Sequence, residues 1–247
     1  MTIDHPPLNL ITPALMHDWL AALDAAEHDP AVRCVVVTGA GTRAFSAGAN
    51  LGDEVHRPGA PDDKGAAFRD LGRALIDRLE LFPKPVVAAI RGWCIGGGFA
   101  LSQACDIRLA CADARLRTGD AYIGVIPAWG ISLTRLAHYI GRNRCLDLLM
   151  LGEDLDAGQA HTLGLVTRVL PVEGFDDAVA AVADRLAGGA PGVFRAIKEA
   201  VRAQYFDGPD AARAIETDWA QRMHGTADSL EGIAALKERR KPVFTGR

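Results

Sequence analysis

The chain has 247 residues, 49% of them hydrophobic and 23% charged, with a formal net charge of −4. That composition excludes a disordered chain, and the charge gives no basis for binding nucleic acid. No apolar run is long enough to span a membrane, MTIDHPPLNL lacks a basic-then-apolar leader, and the five cysteines show no metal-ligand spacing, so we expect a cytoplasmic protein with reduced thiols and no membrane partner.

Thr12-Pro13 reads as a helix start, with Leu15, Trp19, Leu23 and Ala26 at helical spacing until Asp29-Pro30. Val32 to Thr38 is β-branched and apolar on both faces, as a buried strand should be. Ala44 to Leu51 reads as a short strand and turn, and Gly52 to Gly65 as a polar surface loop. Phe68, Leu71, Leu75, Leu79 and Phe82 mark an amphipathic helix broken by Pro83-Lys84-Pro85. Val86 to Ile90 is a second buried strand. It leads through Gly96, Gly97 and Gly98 into a small-residue helix closing at Asp106.

Asp106 to Ala110 and Arg115 to Thr118 read as strands, and Gly119 to Gly130 as irregular. Ile131 to Ile140 and Arg144 to Leu151 read as helices. Asp156 caps a brief helix, and Val166 to Leu170 is a last strand. Four helices then follow: Phe175 to Ala187, Val193 to Gln204, Pro209 to His224 and Leu230 to Glu238, the last with Asp228 and Glu231 as a capping pair. The layout divides into a β/α core over 1–172 and a helical region over 173–247.

Two segments carry candidate chemistry. A Gly run at a strand-to-helix junction leaves N–H groups uncovered, which suits an oxygen bearing negative charge. The small residues of Ala44-Phe45-Ser46-Ala47-Gly48-Ala49-Asn50-Leu51 leave a second stretch of backbone accessible. Together they could form an oxyanion hole. Thr38-Gly39-Ala40-Gly41 suggests a dinucleotide turn, but Ala44 occupies the third glycine's place and strand rather than helix follows.

The segments AFSAGANL, KPVVAAIRGWCIGGGFALSQACDIRLA, GVIPAWG and DSLEGIAALKERRKPVFTG resemble, in order, those of the crotonase superfamily, which includes enoyl-CoA hydratases and isomerases. The resemblance covers nearly the whole chain. It implies an α/β fold, a spiral of β-β-α repeats with a C-terminal helical region that builds trimers or hexamers. It implies a coenzyme A thioester as substrate and no further cofactor. It places the oxyanion hole at the N–H groups of Ala47 and Gly97, with Gly96 alongside, and the adenine pocket at Ala47, Gly48, Ala49 and Asn50. The family usually has Asp where Asn50 stands. Arg239 takes the place of a basic residue that reaches the CoA phosphates, often those of a neighbouring subunit.

Family hydratases carry two glutamates. Here Ala100 stands at the first position and Asp120 at the second. A methyl group moves no proton, and Asp120 is a weak base unless the site desolvates it. Arg115 or Arg117, if turned toward Asp120, would keep it ionised. His56 is a possible second acid or base, and Tyr122 and Trp129 possible acyl-pocket residues. His138 and His161 read as structural. One carboxylate with an oxyanion hole suffices for enolate chemistry, which points to an isomerase or lyase rather than an efficient simple hydratase. The alternatives are a non-catalytic acyl-CoA-binding regulator, or a hydratase that pairs Asp120 with another group.

Overall fold

The computed structural model describes residues 1–52, 62–129, 131 and 133–247, with the backbone alone for 62–64. In chain order come β1 (Thr2–Ile3), α1 (Pro13–His28), β2 (Val35–Gly39), β3 (Ala44–Ser46), α2 (Asp62–Glu80), β4 (Val86–Ile90), β5 (Trp93–Ile95), α3 (Gly97–Ala104), β6 (Ile107–Cys111) and β7 (Arg115–Arg117). A single 3-10 turn (Asp120–Ile123) is followed by α4 (Leu136–Ile140), α5 (Arg142–Leu151), β8 (Leu155–Asp156), α6 (Ala157–Thr162) and β9 (Arg168–Leu170). Helices α7 (Phe175–Ala187), α8 (Pro191–Phe206), α9 (Pro209–Met223) and α10 (Ala227–Glu238) complete the chain.

The strands form two sheets. One is parallel throughout, in the order β1-β2-β4-β6-β9. The other runs β3-β5-β7-β8 and is parallel except at its β7-β8 edge. The chain therefore alternates between sheets before each helix: β2-β3-α2, then β4-β5-α3, with β6-β7 repeating the strand pair. This is the β-β-α spiral that the resemblance implied.

Strand β4 lies between β2 and β6, and all five of its residues are buried. An inner parallel strand is covered on both faces, which is why VVAAI shows no polar alternation. One face contributes Val86, Ala88 and Ile90 to the main core, with Leu23 of α1, Leu75 of α2 and Phe99 of α3. The other packs Val87 and Ala89 with Leu109, Cys111 and Phe175 of α7. The Thr12 cap holds as expected, its Oγ1 accepting from Leu15 N at 3.2 Å.

Several expectations are corrected. Strand β5 was missing, because three residues are too few to show a period; Gly92, at φ 56, turns the chain from the first sheet into it. Strand β2 begins at Val35 rather than Val32, and the helix expected over 131–140 is confined to Leu136–Ile140. The loop expected over Gly52–Gly65 gives way to α2 already at Asp62, while 53–61 lie outside the described residues. Thr226, not Asp228, caps α10. Asp228 is buried in that helix's first turn and accepts instead from Thr245 N at 2.7 Å and Gly246 N at 2.9 Å, tying down the C-terminal tail. Glu231 likewise serves that tail, accepting from Val243 N at 2.8 Å. Among the described residues no helix is long and apolar enough to cross a membrane.

Candidate active site

The site begins where β5 meets α3. Gly96 caps α3 at φ 52, a conformation that a side chain would strain. Its N–H is bound to Arg117 O at 3.0 Å, and its carbonyl accepts from Ala100 N at 2.9 Å. Gly97 N, at the helix's first position, meets no acceptor among the described residues.

The turn after β3 lies directly against it. A Cβ built on Gly97 would stand 3.1 Å from Ala49 N, and one built on Gly48 would stand 3.1 Å from Gly97 N. Only residues without side chains allow this approach. Ala49 N also meets no acceptor among the described residues. The structure thus sets two uncommitted N–H groups side by side, at a helix N-terminus whose dipole favours negative charge.

Asp120 comes to the same turn from β7. Gly119, at φ 67, ends the extended segment, and Asp120 opens the 3-10 turn. A Cβ on Gly96 would stand 3.7 Å from Asp120 Oδ1, so the carboxylate faces the glycine turn. Neither nearby arginine neutralises it. Arg117 Nε is held by Asp154 Oδ1 at 2.5 Å, and Arg115 lies 4.0 Å from Asp156. Burial without a counter-charge pushes Asp120 up to about 6, against a small opposing pull from its own backbone N–H. The carboxylate is therefore a far better proton acceptor at neutral pH than an exposed aspartate.

These groups line one cavity of about 650 Å³. Its walls are largely apolar and include Phe68, Ala100, Ile123, Val125, Trp129 and Ile131. Asp120 is the sole carboxylate among the described lining residues. The Trp129 indole is clamped between two glycines. A Cβ on Gly72 would lie 2.3 Å from its Nε1, and one on Gly97 2.6 Å from its Cζ3. Phe68 supports the indole, with ring centroids 5.7 Å apart and tilted by 57°. Ala100 is 5% exposed and presents a methyl group to this apolar space.

The family model for enoyl-CoA hydratase/isomerase matches residues 1–247. The chain belongs to the enoyl-CoA hydratase/isomerase family. A probable enoyl-CoA hydratase of Bacillus subtilis is 33% identical over 251 residues, an alignment covering 100% of this chain and 94% of that protein. The 1,2-epoxyphenylacetyl-CoA isomerase of Escherichia coli is 33% identical over 234 residues, covering 94% and 88%. The crystal structure of an enoyl-CoA hydratase from Polaromonas sp. JS666 superposes with a TM-score of 0.92 at 33% identity, covering 98% and 94%.

Within this enoyl-CoA hydratase/isomerase chain, Gly96, Gly97, Ala100, Asp120 and Trp129 all line one cavity. Ala47 requires a correction. Its N–H is already donated to Leu8 O at 2.9 Å, whereas Ala49 N, beside Gly97, meets no acceptor among the described residues. Tyr122 is corrected as well: it is 70% exposed, lies outside the cavity lining and packs beside Gly152. Asn50 accepts from Gly52 N at 3.1 Å and is not a lining residue. Arg239 is exposed at the end of α10 and is not among the cavity's lining residues. His56 lies outside the described residues.

His138 packs edge-on against Tyr205 and Phe206, and His161 Nδ1 pairs with Val166 O at 3.0 Å, both structural roles. Burial pushes the Cys94 and Cys105 thiols up to about 12, so neither is a nucleophile at neutral pH. Phe68 and Gly72 escaped the sequence reading. Phe68 belongs to the apolar stripe of α2 and Gly72 carries no signal of its own, and nothing local shows that Trp129 folds onto them.

Proposed function

We propose that this protein is an acyl-CoA isomerase or lyase working through a thioester enolate, with isomerisation the favoured reaction. The observation that carries this reading is the unneutralised Asp120 carboxylate facing a turn with two free N–H groups, in a cavity where Ala100 contributes a methyl and no second carboxylate is among the described lining residues. Asp120 takes a proton from C2 of a 3-enoyl thioester. The electron pair moves toward the carbonyl, and Ala49 N–H and Gly97 N–H hold the resulting oxyanion. As C2=C3 forms, the oxyanion returns to a carbonyl and Asp120 delivers the proton to C4. No water is consumed, so no second carboxylate is needed. The relative named as 1,2-epoxyphenylacetyl-CoA isomerase supports isomerisation as a reaction class, though on an epoxide and not a 3-enoyl group.

The CoA thioester is the substrate, and the reaction draws on no further cofactor. The segment 47–50 serves the adenine end, with Ala47, Gly48 and Ala49 already at the cavity wall. Self-association into a trimer, or a hexamer of two trimers, accounts for an exposed apolar stripe on α8: Val193, Ile197, Val201 and Tyr205 recur every fourth residue. Leu230, Ile233 and Leu236 on α10 are exposed too. Assembly would bring Arg239 to a neighbour's CoA phosphates. Sedimentation of the wild type is expected to give a trimer or hexamer, and Ile197→Glu should shift it to monomer; a wild-type monomer overturns the assembly.

The reaction is tested by following a 3-enoyl-CoA and its 2-enoyl isomer in deuterated water. Isomerisation is the expected result, with deuterium entering C2 or C4 to the extent that protonated Asp120 exchanges with solvent before it gives the proton back. Binding without exchange would assign the protein as a non-catalytic acyl-CoA binder. Crotonyl-CoA hydration should be slow in the wild type and rise at least about tenfold in Ala100→Glu. Wild-type hydration as fast as isomerisation would sink the argument from the missing carboxylate.

A further inference from the structure

The segment 8–11 runs beside 46–50 and occupies its backbone polar groups in turn. Leu8 O accepts from Ala47 N at 2.9 Å, Ile11 N donates to Gly48 O at 2.8 Å, and Ile11 O accepts from Asn50 N at 2.8 Å. Ser46 fills the remaining position. Its Oγ donates to Asn9 O at 2.6 Å and accepts from Gly48 N at 3.1 Å. Of the N–H groups at positions 47 to 50, Ala49 alone is left unspent among the described residues.

Ser46 is 0% exposed, and both of its hydrogen bonds go to this turn or to the segment that supports it. It also bears on the other donor. A Cβ on Gly98 would stand 2.5 Å from Ser46 O and 2.7 Å from Ser46 Cβ, so the first turn of α3 rests on Ser46. One buried residue therefore touches the supports of both N–H groups. Asn9 anchors it in turn. At φ 56, Asn9 donates through Nδ2 to Ala40 O at 3.0 Å and Ala44 O at 2.7 Å.

We infer that Ser46 is a positioning residue for the oxyanion donors: its hydroxyl, anchored on Asn9 O, holds the Ser46–Gly48 turn so that Ala49 N–H and Gly97 N–H converge on one thioester oxygen. The inference rests on the enolate reading above. Without the Oγ, Gly48 N loses its acceptor and the Gly48 hinge, at φ 98, is released. The donor one residue further on then loses its direction. Misplacement of an electrostatic donor by an ångström costs rate far more than it costs binding.

The test uses Ser46→Ala, with Ser46→Cys as a second variant that keeps side-chain volume but offers only a weak acceptor. Each is compared with wild type by kcat, KM and the infrared carbonyl band of a bound saturated acyl-CoA carrying a 13C-labelled thioester. The wild type should shift that band to lower wavenumber. The variants should shift it less, lose at least about tenfold in kcat and keep KM within about twofold. A wild-type band and kcat in the variants overturns the role of Ser46 while leaving the enolate reading intact. A lost kcat with an unchanged band also overturns it, since the defect then lies elsewhere. No band shift and no C2 exchange in the wild type overturns the enolate reading itself.

Discussion

Asp120→Asn is expected to lower kcat by about a thousandfold while leaving CoA-ester binding within a few-fold of wild type, because the amide keeps the shape but cannot accept the proton. The wild-type pH profile should show the same group. Asp120 is pushed up to about 6 by burial, and the reaction uses its ionised form. Turnover per free enzyme should therefore climb with pH, be half-maximal near 6, and be flat above it. A profile still falling below neutrality in Asp120→Asn, or undiminished turnover, would remove Asp120 from the mechanism.

The same substitution should stabilise the protein. Folding raises the affinity of Asp120 for a proton, so the stability it contributes is full below about 4, its unfolded value, and is lost as pH rises through about 6. The shift would cost ~3 kcal/mol at neutral pH in a sealed site; contact with solvent in the cavity reduces that to about 1–2 kcal/mol. Asp120→Asn carries no charge and escapes this cost. Thermal melts should place it a few degrees above wild type at about pH 8, by roughly 2–4 °C per kcal/mol, with the difference closing near pH 4. Equal melts at both pH values would contradict the desolvated carboxylate. An ionisable group kept where it weakens the fold is the pattern expected when stability is traded for activity.

Gly97→Ala is the second large effect. Its Cβ would come within 2.6 Å of Trp129 Cζ3 and 3.1 Å of Ala49 N. The indole has Gly72 behind it at similarly close quarters and cannot simply retreat. We expect a loss of about 100- to 1,000-fold in kcat from the disturbed donor pair, with about 1–3 kcal/mol of destabilisation from overpacking. Adding Trp129→Leu separates the two. Removing the indole relieves the clash, so the double variant should recover stability relative to the sum of the single changes. It should not recover kcat, because the new methyl still crowds Ala49 N. Recovery of full turnover would show that the glycine matters for packing only.

Much of the fold was legible because its signals are local. VVAAI reads as a doubly covered strand, Thr12-Pro13 as a helix start and Asp156 as a cap, each within a few residues. The elements that escaped were two- and three-residue strands, which owe their existence to neighbours such as β7 rather than to any periodicity of their own. The capping pair at Asp228 and Glu231 failed for a related reason. The pattern was present, but a tail returning from Thr245 and Gly246 competed for the same carboxylate and won.

By itself the sequence determined the resemblance to the family, the glycine turn at Gly96–Gly98 and the methyl side chain at Ala100, while the β-β-α order was carried by that resemblance and not by any local signal for β5. The first three follow from residue identities along one stretch of chain. Tertiary structure alone decided which backbone N–H of AFSAGAN is free. Four candidates are adjacent in sequence, and the partners of three come from residues 8–11 and from Ser46, which leaves Ala49 N–H without an acceptor among the described residues. It alone decided that Arg117 and Arg115 turn to Asp154 and Asp156 and leave Asp120 to desolvation. It also laid Trp129 across Gly97. Hydrogen-bond allocation and burial are set by what the fold brings alongside a residue, and no spacing within the chain encodes them.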